Sequence, residues 1–282
     1  MSMKHLIIID PQIDFCDPGS GEGDPNRGTL YVPGAEKDMQ RMADFIRKAG
    51  STISKIHVTI DSHHFIDIGH PAMWKDKDGN PPPPFTIIMS RDIIKGIWTP
   101  IFPNLRQRFI DYALELESRR KYLLFIWPPH CLIGSRGQSI IPCLFEALIE
   151  WQEQKGNNVN FVTKGSNPKT EHYSPIKAEV VDPEDPSTQI DTRKGSMVQL
   201  LQDEADVIYT GGEALSHCLK AALEDLVEIS GSNEYVKKIC LLRDTTSPVP
   251  STPGSPDFPS IAEKFVQDMV AKGMKVANTS DF

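Results

Sequence analysis

The chain has 282 residues and a formal net charge of −8, and 39% of its residues are hydrophobic. An acidic chain is a poor partner for nucleic acid or an anionic membrane, because phosphate binding needs a basic face. No apolar run reaches the length of a membrane span, and the start of the chain lacks the pattern of a signal peptide. We therefore expect a cytoplasmic protein that binds neither nucleic acid nor membrane.

Short β-rich runs alternate with helical periodicity along most of the chain. In chain order the sequence predicts strand 6–9, helix 39–48, strand 55–60, helix 105–116, strand 122–126, helix 139–154, strand 159–163, helix 196–202, strand 207–210, helix 216–229, strand 238–242 and helix 261–272. This alternation predicts an α/β fold, a three-layer sandwich with a mainly parallel sheet and helices on both faces.

Three segments interrupt this pattern. Residues 71–103 carry four consecutive prolines and little periodicity, residues 179–195 are rich in Pro, Asp and Thr, and residues 247–259 hold several Pro, Ser and Gly. All three are typical of surface loops. We expect a single domain over 1–282, in which these insertions form a lid or a contact between subunits.

Polar residues follow the predicted strands at their carboxyl ends, where parallel α/β sheets bind ligands. They include Asp10, Asp61, His130, Lys164 and Asp244, each at or just after a strand end. One or two such residues arise by chance in any fold. Their recurrence over the predicted strands predicts one polar site at this edge of the sheet.

Cys218 opens a predicted helix after a Gly-Gly turn. Backbone N–H groups and the helix dipole there are expected to lower the pKa of its thiol and to bind an oxyanion. Asp10 could take the thiol proton, with Lys164 keeping both groups charged. The alternatives are a small buried Cys218, a capping Asp10 and a solvated Lys164.

The triplet Asp61-Ser62-His63, with His70 further along, offers oxygen and nitrogen donors for Zn, Mn or Fe. A D-x-H triplet alone is more often an ordinary polar loop. Glu171 and His172 lie in a predicted polar loop, where the pattern assigns them no function.

Four blocks together resemble the isochorismatase-like cysteine hydrolases, and most closely their nicotinamidase branch. The blocks are the strand and D-x-Q-x-D-F-C loop at 7–16, the loop 61–70, the W-P-x-H-C block at 127–131 followed by two glycines, and the turn 212–218. Their order matches over most of the chain, and the first and third blocks are the specific ones.

The resemblance implies an isochorismatase-like hydrolase fold and a role for each matching residue. The catalytic set is Asp10, Lys164 and Cys218, and the oxyanion hole is formed by the amides of Ala214 and Cys218, after a cis peptide bond between Glu213 and Ala214. One divalent metal ion, zinc with Mn or Fe as alternatives, is held by Asp61, His63, His130 and His70. Phe15, Trp127 and Tyr173 line an aromatic substrate pocket. His70 lies one residue beyond the usual spacing.

The activity that the resemblance implies is hydrolysis of nicotinamide to nicotinate and ammonia through a thioester, a step of NAD salvage. Another small amide or a ureido compound is the alternative within the family. Outside it, the alternatives are a metallohydrolase with metal-activated water and a non-catalytic binding protein of the same fold. We also expect a homo-oligomer.

Overall fold

A parallel β-sheet forms the centre of the computed structural model, which describes residues 2–119, 122–252 and 254–282. Within these residues the strands are β1 Lys4–Ile9, β2 Lys55–Asp61, β3 Trp74–Lys75, β4 Ile87–Ile88, β5 Thr99–Pro100, β6 Leu124–Phe125, β7 Asn160–Lys164, β8 Val207–Gly212, β9 Ile239–Leu242 and β10 Lys275–Ala277. Six of them form the main sheet in the order β10-β9-β8-β1-β2-β7, and every neighbouring pair is parallel.

Helices surround this sheet. Within the described residues they are α1 Ile13–Cys16, α2 Ala35–Ala49, α3 Ser90–Ile94, α4 Arg106–Arg119, α5 Pro142–Lys155, α6 Met197–Asp203, α7 Cys218–Ser230, α8 Asn233–Val236 and α9 Phe258–Ala271. Each of the six predicted helices is present, with ends shifted by one to four residues. Gly156 and Gly231 end α5 and α7 as left-handed caps, with φ of 63° and 62°.

Strand β1 shows that both faces of the sheet are covered. Leu6, Ile7, Ile8 and Ile9 are each at most 2% exposed. Because successive side chains of a strand point to opposite faces, a run buried at every position needs helices on both sides. This confirms the predicted three-layer α/β architecture.

The predicted strand 122–126 is placed differently from the expectation. Only Leu124–Phe125 is a strand, and it pairs antiparallel with β4 in a separate two-stranded sheet. A β-rich run predicts an extended conformation, but its partner depends on contacts far away in the chain. The prediction that this run joins the parallel sheet is therefore wrong.

The segment 71–103 is more ordered than a surface loop. It contains β3, β4, α3 and β5, and it buries Met73, Trp74, Ile88 and Ile93. These side chains form a second hydrophobic cluster with α4, apart from the core around the main sheet. By contrast, 179–195 has only a short 3₁₀ turn, Pro186–Thr188.

Among the described residues, no helix has the length and apolar content that crossing a bilayer requires.

Gly212, at the end of β8, tests how tightly β8 packs on β1. Its φ is +109°, and a Cβ at this position would collide with the backbone of Ile9. Gly231 is the matched control, because its φ is also positive but the space around it is open. We expect Gly231→Ala to cost about 1 kcal/mol, and Gly212→Ala to cost clearly more in chemical unfolding. Equal losses for the two variants would contradict the close packing.

Candidate active site

Asp10, Lys164 and Cys218 meet at the carboxyl end of the sheet. Asp10 follows β1, Lys164 is the last residue of β7, and Cys218 is the first residue of α7. The Lys164 Nζ atom lies 2.9 Å from Asp10 Oδ2 and 3.7 Å from Cys218 Sγ. All three side chains are buried. The structure therefore brings together the three residues that the sequence singled out for catalysis.

Asp10 is held by its neighbour Thr59 in β2. The Thr59 hydroxyl donates to Asp10 Oδ1 at 2.5 Å and accepts from the Asp10 N–H at 3.0 Å. With Lys164 on Oδ2, the carboxylate is fixed on both oxygens. Asp10 itself has a φ of +43°, an uncommon conformation that turns the chain out of β1.

Burial dominates the ionisation of the thiol. It raises the pKa of Cys218 well above its usual value, Lys164 opposes this shift, and Asp10 and Asp61 add to it. The expectation that the start of the helix lowers this pKa is not met, because a buried thiolate would sit beside two carboxylates. Burial also raises the pKa of Asp10, against the opposing effect of Lys164. Cys218 is thus a thiol at rest, with a base in contact.

Residues 212–216 form a turn, here named the oxyanion turn, between β8 and α7. The peptide bond between Glu213 and Ala214 is cis, as the resemblance implied. Among the described residues, neither the Ala214 N–H nor the Cys218 N–H makes a hydrogen bond. Both residues line the same pocket. Two backbone donors are thus free beside the thiol, as an oxyanion requires.

Asp61, His63 and His130 form a buried group of metal-binding donors. Their donor atoms lie within 4.8 Å of one another. The His63 Nε2 and His130 Nε2 atoms are 3.1 and 3.6 Å from Asp61 Oδ2. The other oxygen of Asp61 is 3.0 Å from Lys164 Nζ. The Asp61 carboxylate thus contacts the two histidines through one oxygen and Lys164 through the other.

The structure does not bring His70 into this group. Its Nε2 faces His130 Nδ1 at 3.3 Å, and its Nδ1 faces the carbonyl oxygen of His64. His70 therefore supports the ring of His130 from the side, and the extra residue in its loop accounts for the offset. A role as fourth ligand has no geometric support here.

Gln12 fixes the backbone of Asp61. Its Nε2 donates to the Asp61 carbonyl oxygen at 2.7 Å, and its Oε1 accepts from the Asp61 N–H at 2.7 Å. The side chain thus pairs with Asp61 as a neighbouring strand would. This explains the glutamine of the D-x-Q-x-D-F-C block in physical terms.

Aromatic side chains line a narrow pocket of about 30 Å³ above Cys218. Phe15, Trp127 and Tyr173 all contribute to it, as predicted, and the Trp127 Nε1–H donates to Tyr173 Oη at 3.1 Å. Behind Tyr173 and His217 lies a larger cavity of about 460 Å³. The narrow pocket holds little more than water in this state, so a ring that enters must displace its walls.

Sequence reasoning missed Glu171. Predicted in a polar loop, it is buried in the pocket wall, and burial raises its pKa to about 8. With His63 and Asp67 it forms a second group of donor atoms within 4.8 Å. His217 was missed as well. It is buried between the two cavities and stacked on Tyr122, and burial lowers its pKa to about 3.

Neither a comparison with protein-family models nor one with curated proteins finds a match for this chain. Solved structures do match. The yeast nicotinamidase bound to the inhibitor nicotinaldehyde is 21% identical with a TM-score of 0.64, covering 98% of this chain and 100% of its own. The Acinetobacter baumanii nicotinamidase/pyrazinamidase is 18% identical with a TM-score of 0.59, covering 100% and 98%.

The pyrazinamidase of Pyrococcus horikoshii in complex with zinc is also similar, with 18% identity, a TM-score of 0.53 and 98% coverage of each chain. Identities this low establish the fold alone. The chain therefore has the isochorismatase-like α/β fold that these structures share.

The donor group predicts which histidines hold a metal ion. We expect His63→Ala and His130→Ala each to weaken metal binding by at least about 100-fold, because each removes a converging donor. His70→Ala, whose nitrogens face elsewhere, should keep its metal, as should the control His64→Ala at an exposed position. The measurement is metal content per chain of the purified variants. A full equivalent of metal in both His63→Ala and His130→Ala would place the site elsewhere.

Proposed function

We propose that this protein is a metal-containing cysteine amidohydrolase that converts nicotinamide to nicotinate and ammonia. The observation that carries the proposal is the buried contact of Lys164 with Asp10, Cys218 and Asp61, at the base of an aromatic pocket. It unites a nucleophile, a base and a metal-binding carboxylate within one small volume. The likeness to nicotinamidase structures supports the same conclusion.

The chemistry begins with transfer of the Cys218 proton to Asp10. The sulfur attacks the amide carbon, a C–S bond forms, and the carbonyl oxygen becomes an oxyanion. Asp10 then returns the proton to the amide nitrogen, the C–N bond breaks, and ammonia leaves. Water next attacks the thioester and gives one proton to Asp10. The C–S bond breaks as Asp10 passes that proton to the sulfur, which restores the thiol and releases the carboxylic acid. The acid then gives its remaining proton to ammonia in solution.

Lys164 stabilises the negative charge that moves between Asp10 and Cys218. Burial acts to lower its pKa, but Asp10 and Asp61 outweigh this and hold the pKa well above its usual value. Lys164 thus remains an ammonium throughout the cycle. The free amides of Ala214 and Cys218 provide donors for the oxyanion, at a typical worth of roughly 3 kcal/mol for each donor.

The donors of Asp61, His63 and His130 fit a divalent ion such as zinc, because one carboxylate and two imidazoles are the ligands that it prefers. Bound there, the ion would supply a Lewis acid that orients the ring nitrogen of the substrate. The His130 Nδ1 lies 2.8 Å from the Pro128 carbonyl oxygen, a contact that leaves its Nε2 free as a ligand.

The pocket favours a flat aromatic amide. Phe15, Trp127 and Tyr173 line the pocket together with Cys218, and aromatic walls bind a planar ring better than a flexible chain. An aliphatic amide or a ureido compound would make fewer contacts with these aromatic walls.

That the protein forms a homo-oligomer remains a prediction.

Loss of the nucleophile tests the reaction class. We expect Cys218→Ala to remove amide hydrolysis, with metal content unchanged, because Cys218 supplies no donor to the metal group. Cys143→Ser, which changes a half-buried cysteine away from the pocket, is the control and should keep full activity. The measurement is ammonia release alongside metal analysis. Turnover retained in Cys218→Ala would favour a metallohydrolase with activated water.

Replacement of the base tests the proton transfer. Asp10→Asn keeps the shape of the side chain but cannot shuttle a proton, so we expect a loss of about 10²–10⁴-fold in acylation rate. Pre-steady-state ammonia release from nicotinamide measures this step. A loss below tenfold would contradict the role of Asp10.

Ammonia release from a set of aromatic, aliphatic and ureido amides tests the substrate class. We expect nicotinamide and its close aromatic analogues to give the highest kcat/KM. A preference for ureido compounds would keep the fold and nucleophile but replace the proposed substrate. Absence of turnover and of any acyl adduct on Cys218 would favour a binding protein.

A further inference from the structure

Glu213 is an unexpected charge-bearing residue inside the core. It precedes Ala214 in the oxyanion turn and is fully buried. Its N–H donates to the Ile9 carbonyl oxygen at 2.8 Å, which ties it to the end of β1. An acidic side chain here is costly unless it is neutral or paired. Neither the reaction nor the metal group uses it, so its presence needs another explanation.

The two oxygens of Glu213 have different surroundings. Oε2 accepts a hydrogen bond from the Ser247 N–H at 3.3 Å. Oε1 meets no hydrogen-bond donor among the described residues. The nearby Asp38 carboxyl group adds to the effect of burial in raising the pKa of Glu213. Two neighbouring carboxyl groups in a core repel each other when both are ionised.

Asp38 lies beside Glu213 and is bound by two other groups. It is 3% exposed, forms an ion pair with Arg41, and accepts from the Ser247 hydroxyl at 2.6 Å. Glu213 forms no ion pair with any described residue, so burial favours its neutral form. Ser247 binds both acids, through its N–H and its hydroxyl, and fixes their relative position.

Ser247 belongs to the segment 245–249, which lies along the oxyanion turn. The Leu215 N–H donates to the Ser247 carbonyl oxygen at 2.9 Å. The Thr246 hydroxyl donates to the Gly212 carbonyl oxygen at 2.6 Å, and the Val249 N–H donates to the Ser216 hydroxyl at 3.0 Å. The segment thus contacts the turn on both sides of Ala214, and Glu213 is one of its attachment points.

We propose that Glu213 is a positioning residue for the oxyanion hole, whose carboxyl group binds Ser247 beside Asp38 and so anchors the segment 245–249 onto the turn that presents the Ala214 amide. The inference rests on the proposed function, since it concerns an amide that acts in that reaction. Ionisation of Glu213 would place two carboxylates against each other in the core and loosen the turn.

The charges around Glu213 set the direction of its titration. Burial is the largest cause that raises the pKa of Glu213 well above its usual value, followed by Asp38 and, more weakly, Glu36. Arg41 is directed at Asp38, and the buried thiol of Cys16 faces both acids from α1. Because the folded-state pKa is raised, the stabilisation is complete at low pH and is lost as pH rises through that raised pKa.

The test compares wild type with Glu213→Gln and Glu213→Leu. Gln is uncharged at every pH, and its amide can donate to Asp38 while its oxygen accepts from Ser247. We expect Glu213→Gln to keep kcat for nicotinamide within about twofold at neutral pH and to retain more of it than wild type as pH rises. Glu213→Leu should lose about tenfold or more in kcat with little change in KM, because the oxyanion hole acts in the transition state.

Unfolding supplies a readout that does not need turnover. The free energy of unfolding of wild type should fall with rising pH relative to Glu213→Gln. The inference is overturned if kcat and the free energy of unfolding change with pH equally in wild type and in Glu213→Gln. It is also overturned if Glu213→Leu keeps the kcat of wild type. If Glu213→Leu fails to fold, the pH dependence of kcat and of unfolding in Glu213→Gln, compared with wild type, is the deciding measurement. If no amide is hydrolysed, the proposed function fails, and the unfolding comparison alone then tests whether Glu213 anchors the segment as a neutral acid.

Discussion

One buried ammonium, that of Lys164, holds the two halves of the site together. Its Nζ lies 2.9 Å from Asp10 and 3.0 Å from Asp61, in a region closed to solvent. Two carboxylates this close repel each other and lose their hydration on burial, so neither stays charged without a cation between them. Removing Lys164 would leave both charges uncompensated. Asp10, the proposed proton acceptor, and Asp61, the proposed metal ligand, therefore depend on the same residue.

This constraint explains the order of the central strands. Lys164 ends β7, and the register pairs it with Asp61 at the end of β2. Strand β1 lies on the other side of β2 and ends at Asp10, while β8 pairs Gly212 with Ile9 and leads into the oxyanion turn. Each functional group is thus delivered by a different strand to one edge. Parallel packing with both faces buried is the architecture that aligns these ends.

Local patterns predicted five of the six strands of the main sheet, because apolar runs act over a few residues, but they missed β10 at its edge. They also located Asp10, Lys164 and Cys218, which stand where a strand ends or a helix begins. They failed where long-range contacts decide. Residues 124–125 pair outside the main sheet, and Glu171 is buried although its neighbours are polar. The direction of the Cys218 pKa shift was also missed, because burial comes from segments distant in sequence.

The same reasoning separates the roles of the two oxygens of Asp61. Oδ1 faces Lys164 and Oδ2 faces His63 and His130, while Gln12 binds both the N–H and the carbonyl oxygen of Asp61. Rotation of the carboxylate would break one set of contacts to improve the other. Because Gln12 holds the backbone of Asp61 in place, the carboxylate stays where it can make both sets of contacts. A change at Gln12 would therefore reach the catalytic set and the metal-binding donors together, although the side chain of Gln12 belongs to neither.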